Sequence, residues 1–145
     1  MKIAHVQLFN KTSGAQRVAL DEIMFLKHID YYLVARETGP LFDILDQNSA
    51  RCKVINTLVH KISPLHDVQA LLALVKFIKE HKIDILHTHS SKPGVLGRTA
   101  ALICGVPCVH TIHGFSFAAA RTRMHRAVYY AIEKWTLRLA TKVIV

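Results

Sequence analysis

The sequence predicts an α/β fold built on a parallel, doubly wound sheet. Short apolar segments rich in Val, Ile and Leu alternate with longer helical ones along the whole chain. The short segments are apolar on both faces, as strands buried between two helical layers tend to be. Strict β/α alternation implies right-handed crossovers and a parallel sheet. A chain of 145 residues suits one domain, 1–145, and buries roughly 70% of its unfolded surface.

The elements follow in order. The opening Met1-Lys2-Ile3-Ala4-His5-Val6 is too short and polar for a leader peptide and reads as a strand over 2–8. Further strands are predicted at 31–35, 52–55, 83–87, 108–112 and 142–145. Helices are predicted at 15–27, 40–47, 67–80, 95–104 and 122–139. Gly39-Pro40 and Ser63-Pro64 mark breaks, and Asp67 reads as the N-cap of the third helix. Val128, Ile132, Trp135 and Leu139 fit a core-facing stripe on the last helix. The chain stops at Val145 inside a predicted sixth strand, so the sequence reads as interrupted.

Composition limits the function classes. Apolar residues at 51% with 20% charged exclude a disordered chain. The best apolar run, 68–78, is interrupted by Gln69 and Lys76 and is too short to span a membrane. Cys52, Cys104 and Cys108 are expected to be reduced thiols in a cytoplasmic protein. The net charge is +9, and from residue 113 onward six cations face the single Glu133. Such a surface attracts anionic lipid, phosphorylated ligands or nucleic acid. Charge alone speaks for nucleic acid, and no nucleic-acid partner is expected.

The fold also predicts where a ligand binds. With strand order 3-2-1-4-5-6, the loops after the first, fourth and fifth strands meet at the switch point, where ligands sit. The first loop, Asn10-Lys11-Thr12-Ser13-Gly14, leads into a helix N-terminus suited to phosphate, although Gly14 equally fits a tight turn. It is neither a P-loop nor a G-x-G-x-x-G fingerprint. The second, His87-Thr88-His89-Ser90-Ser91-Lys92-Pro93-Gly94, supplies donors and a cation before a helix, suited to a sugar or phosphate or simply a solvated, capped loop. His87 and His89 share a strand face, but no carboxylate or third His lies near in sequence, so no metal is expected. The third, His110-Thr111-Ile112-His113-Gly114-Phe115-Ser116-Phe117, presents His113 as hydrogen-bond donor or general base and keeps His110 for packing.

These motifs, Asp84-Ile85-Leu86-His87-Thr88-His89-Ser90-Ser91-Lys92-Pro93-Gly94, then Gly105-Val106-Pro107, then the His110–Phe117 stretch, resemble the N-terminal domain of family 4 glycosyltransferases. The likeness is strongest to those that build surface polysaccharides. The resemblance implies a Rossmann-like domain of the GT-B fold and a retaining, metal-independent enzyme with a nucleotide-sugar co-substrate and no cofactor. It implies a saccharide or lipid-linked saccharide acceptor. The basic groups of the helix over 121–139 suit either an anionic membrane surface, which would place the protein at the inner face of the plasma membrane, or a solvated face on a packed helix. Position by position, the resemblance implies that Gly14, preceded here by Ser13 instead of a second glycine, approaches the donor phosphates. His113 contacts the donor sugar as the catalytic group, and His89, Ser91 and Lys92 line the acceptor side. The family's paired-glutamate motif has no counterpart in these 145 residues. The expectation is therefore little transfer by this chain alone, with a donor domain supplied by further or separately encoded sequence. A stand-alone sugar- or lipid-phosphate-binding module is the alternative.

Overall fold

The computed structural model describes residues 1–10, 14–26, 28–46, 51–114 and 122–145. The elements are β1 (Lys2–Val6), α1 (Gly14–Phe25), β2 (Asp30–Ala35), α2 (Pro40–Asp46), β3 (Arg51–Val54), α3 (Pro64–His81), β4 (Ile85–His89), α4 (Ser91–Cys104), β5 (Cys108–Thr111), α5 (Arg123–Leu137) and β6 (Lys142–Ile144). All five strand pairs are parallel, in the order β3-β2-β1-β4-β5-β6. This is the doubly wound order, with the switch between β1 and β4.

Successive strand residues point to opposite faces, so each face acquires its own core. Ala4, Val6, Val34 and Leu86 pack against Leu74 and Phe77 of α3 and Ala100 of α4. Leu33 and Ala35 pack on the other side against Leu20 and Ile23 of α1 and Leu41 and Leu45 of α2. The edge strands β3 and β6 are exposed throughout, contrary to the burial expected of every strand; each has a neighbour on one side only.

Three local expectations change. Ser63, not Asp67, is the N-cap of α3, because Pro64 fits the first helical position, where no backbone donor is needed. Asp67 lies one turn in, and its Oδ2 accepts the Ser63 N–H at 3.2 Å. The fourth strand ends at His89 rather than His87, and α4 starts at once at Ser91. Asn10, which carried no expectation, accepts the N–H groups of Leu41 (2.9 Å) and Phe42 (3.1 Å) through Oδ1 and so caps α2 from the β1 loop.

Helix α4 sits unusually close to the sheet. A Cβ at Gly94 would lie 2.5 Å from His110 Cε1, and one at Gly97 would collide with Thr88 Cγ2. Gly94→Ala is therefore expected to cost about 1–3 kcal/mol by overpacking. Urea denaturation followed by circular dichroism reads this, and an unchanged midpoint would show that the helix has room to move.

Candidate functional site

At the carboxyl ends of β1, β4 and β5 lies a cleft of about 700 Å³. Leu8 and Phe9 enter it from β1, His60 and Ile62 from the β3–α3 connection, and Gly114 from beyond β5. Ser90, Ser91 and Lys92 form its floor at the start of α4, and His125, Tyr129 and Ile132 of α5 close one side. The wall thus mixes hydroxyls and imidazoles with apolar surface.

The turn into α4 is strained. Ser90 has φ +67° and ψ 160°, a conformation that costs a non-glycine residue about 1–3 kcal/mol. Its hydroxyl makes no capping bond, while its carbonyl accepts the Gly94 N–H at 2.9 Å. Lys92 Nζ is 2.6 Å from Asp67 Oδ1 and donates to the Lys61 carbonyl at 2.9 Å. Lys92 lines the cleft, but it is tied to the carboxylate of Asp67, the residue expected to cap the helix.

His113 follows β5 on the exposed surface, and its Nε2 lies 3.2 Å from Nδ1 of His89. Their rings stack at 5.5 Å. His89 does not reach the cleft wall as an acceptor contact. The longer β4 keeps it buried in the sheet, with Nε2 3.0 Å from Nδ1 of His5. His5 is opposite His87 in the β1–β4 register. Glu22 of α1 approaches both: its Oε2 is 3.2 Å from His87 Nδ1 and 3.6 Å from His5 Nε2. His87 Nε2 is 2.8 Å from the Thr111 hydroxyl. Gly14 is the first residue of α1, with open space where a side chain would stand. Ser13 lies outside the described residues.

Burial governs the ionisation of this cluster. It pushes His5 down to about 3, with the neighbouring His87 adding to the effect and Glu22 opposing it. His89 is driven down more strongly by burial and by the four imidazoles His5, His87, His113 and His110. His113 is lowered more mildly, by burial and by His87. Burial alone would raise Glu22, but the hydrogen bond from His87 and the attraction of His5 and His87 bring it below its ordinary value. At neutral pH His5, His89 and His113 are thus held neutral beside the Glu22 carboxylate.

Ring nitrogens of His5, His87 and His89 lie within 4.8 Å of one another, a spacing that could hold a metal ion. The third imidazole that sequence spacing lacked comes from β1 by strand pairing. Yet both nitrogens of His87 and of His89, and Nδ1 of His5, are already in hydrogen bonds. Metal would have to displace them.

A second polar cluster anchors α5. Arg98 of α4, fully buried, donates through Nη2 to Glu133 Oε1 at 3.0 Å and to the Thr136 hydroxyl at 2.8 Å. His110, structural as expected, sits between Thr88 (2.9 Å) and Glu133 (3.8 Å). Helix α5 therefore turns Glu133 and Thr136 inward. Val128 and Trp135 face outward, Trp135 with 63% of its surface exposed, and Ile132 lines the cleft. Of the core stripe expected here, Val128, Ile132 and Trp135 are exposed and Leu139 is half-buried; the buried Arg98 takes Glu133 and Thr136 as partners and so turns the other side of the helix inward.

The comparisons with known proteins agree with this architecture. Residues 12–145 match the model of Glycosyltransferase Family 4, and the chain belongs to that family. It is 45% identical over 147 aligned residues to the Escherichia coli UDP-Gal:alpha-D-GlcNAc-diphosphoundecaprenol alpha-1,3-galactosyltransferase, covering 99% of this chain and 38% of that protein. In fold it is similar to Anabaena HepE solved with UDP and glucose (TM-score 0.71, 19% identity, 99% of this chain and 37% of that one). It is also similar to Acinetobacter baumannii MurG (TM-score 0.68, 18% identity, 99% and 40%). The six-stranded sheet is thus a Rossmann-like sheet of the GT-B type. The chain spans about 38% of the length of its curated relative.

Two outcomes test the buried groups. Glu133→Ala leaves Arg98 charged and unpaired in the interior and is expected to cost about 3–5 kcal/mol; a urea midpoint within error of wild type would contradict this. His5 and His110, lowered from 6.5 to about 3 and about 4, bind fewer protons folded than unfolded. Their contribution is complete above about pH 6.5 and is lost as pH falls toward 4, at about 1.4 kcal/mol per pH unit for each. Urea midpoints measured from pH 8 to pH 4 should be level at first and then decline; a flat profile would mean that these rings are not held neutral.

Proposed function

We propose that this chain is the acceptor-binding domain of a retaining glycosyltransferase, which moves a sugar from a nucleotide-sugar to a lipid-linked saccharide during surface polysaccharide synthesis. The observation that carries the reading is the cleft at the switch point, where polar Ser90, Ser91 and Lys92 adjoin apolar Phe9, Leu96 and Ile132. Hydroxyls and a lysine suit a saccharide diphosphate, and the apolar wall suits the start of a lipid chain. The E. coli relative acts on such an acceptor and forms an α linkage, the outcome that retention gives from an α-configured donor.

In this reading Ser91 and Lys92 hold the acceptor, and His89 acts from behind His113 instead of touching it. His113 reaches the donor sugar at the rim, and the N-terminus of α1 at Gly14 faces the donor phosphates. Donor binding is completed by the further domain that the family resemblance implies, so transfer by these 145 residues alone is negligible. Helix α5 sets exposed Met124, Val128 and Trp135 beside Arg123, Arg126 and Lys134, which suits docking on an anionic membrane surface. No described helix is long and apolar enough to cross a membrane.

Co-sedimentation with vesicles tests both parts. Anionic vesicles should retain the chain better than neutral ones, and adding GlcNAc-diphosphoundecaprenol should raise binding further. Lys92→Met should reduce the acceptor-dependent part about tenfold or more, since a charged hydrogen bond contributes about 1.5–3 kcal/mol. Binding indifferent to the glycolipid would sink the acceptor reading, and equal binding to neutral vesicles would sink the membrane contact.

A further inference from the structure

We propose that Glu22 is a positioning residue that acts through His5 and His89 to fix the ring tautomer of His113, so that His113 offers an unprotonated Nδ1 to a ligand hydroxyl. The inference rests on the reading of His113 as a group at the donor sugar, and it goes further by assigning what that ring can do.

Four side chains from four places in the sequence stand in line. Glu22 Oε2 faces His5 Nε2 at 3.6 Å, His5 Nδ1 faces His89 Nε2 at 3.0 Å, and His89 Nδ1 faces His113 Nε2 at 3.2 Å. A neutral imidazole has one N–H and one lone pair, so in such a file the direction of one hydrogen bond dictates all the others. Two directions are possible. In one, every ring carries its hydrogen on Nε2 and donates toward Glu22. In the other, every ring carries it on Nδ1 and donates toward His113.

The carboxylate decides between them. Burial and mutual repulsion keep His5 and His89 neutral, while the hydrogen bond from His87 helps keep Glu22 ionised against its partial burial. An ionised carboxylate only accepts. With hydrogen on Nδ1, the fully buried His5 Nε2 would turn a lone pair toward that anion. With hydrogen on Nε2 the N–H dipole faces the anion across 3.6 Å, the favourable orientation. This accounts for His5 Nε2, a buried polar atom that makes no hydrogen bond within the ordinary distance yet points at Glu22. His87 supports the same polarity: its Nδ1–H donates to the same oxygen at 3.2 Å, and its Nε2 accepts from the Thr111 hydroxyl at 2.8 Å.

At the far end, His113 Nε2–H donates to His89, and Nδ1 is left bare. Among the described residues no hydrogen bond uses that nitrogen. A sugar hydroxyl is the chemistry that fits it, since it brings the donor that a bare imidazole nitrogen lacks. The diester-type phosphates of a nucleotide-sugar, which carry no proton at neutral pH, would be turned away. Glu22 is thus felt at the exposed ring without touching it.

Long-range ¹H–¹⁵N correlation spectra of the 145-residue chain at neutral pH read the ring nitrogens directly. The expected result is a protonated Nε2 and a bare Nδ1 on His5, His89 and His113. In Glu22→Leu the file loses its acceptor, both directions become accessible, and the two ring-nitrogen shifts of His113 draw together. Glu22→Gln retains an acceptor oxygen and should keep them apart, an outcome that loss of packing alone would not produce. Nδ1–H on His89 in the unmodified chain, or His113 shifts unchanged in Glu22→Leu, would overturn the proposal. The spectra contain no sugar or lipid, so they stand or fall separately from the vesicle experiment.

Discussion

The parallel register between β1 and β4 is the constraint on which the rest of this structure depends. It places His5 opposite His87 and Val6 opposite Thr88. A slip of one residue would exchange the two faces of the strand, sending the imidazoles into the apolar layer and Ala4 and Val6 toward Glu22. With the register as it is, the side facing α3 and α4 is a continuous hydrophobic core. The side facing α1 turns polar toward the carboxyl ends, where Gln7, His89 and Thr111 are all buried. The same pairing opens the crevice, because helices leave in opposite directions on either side of it.

Around that crevice the functional groups are held by rigid elements. Helix α4 reaches the sheet through Gly94 and Gly97, which brings its first turn directly over the end of β4. The strained Ser90 and the Lys92–Asp67 pair then fix the floor of the cleft. Helix α5 is attached by Arg98, Glu133 and Thr136 rather than by apolar packing. A buried ion pair adds little net stability compared with apolar residues of the same shape, but it tolerates few alternative orientations. That choice leaves the apolar residues of α5 outward, beside its cations, on the same helix that closes the cleft.

Membership of Glycosyltransferase Family 4 fits this division of labour. The sheet and the α3–α4 layer are a scaffold shared with structures of low sequence identity. The 45% identity to the E. coli relative extends over 99% of this chain, scaffold and loop segments alike. The imidazole file reaches from the ends of β4 and β5 to α1 and connects the scaffold to the site.

Much of the fold was legible because its signals are local. Alternating apolar runs located every strand, Gly39-Pro40 located the start of α2, and glycine with clustered polar residues located the loops around the cleft. Ser91, Lys92 and Gly114 were placed at the cleft by topology alone. What stayed hidden depended on partners distant in sequence. Asp67 looked like a cap because its local context resembles one, yet its carboxylate also holds Lys92. The stripe of Val128, Ile132 and Trp135 had core periodicity, and a buried Arg98 35 residues before Glu133 overruled it. No spacing rule joins His5 to His87 or Glu22 to either, since those contacts exist only after parallel strands pair and a helix crosses over them. The amino-acid sequence by itself determined the alternation of strands and helices, and hence the parallel layers, because hydrophobic period and turn chemistry act over a few residues. The strand order assumed from that alternation is the one the paired strands adopt. Only the tertiary structure decided which imidazole is presented and which is buried behind it, because hydrogen bonds between remote side chains form only once the backbone is in place.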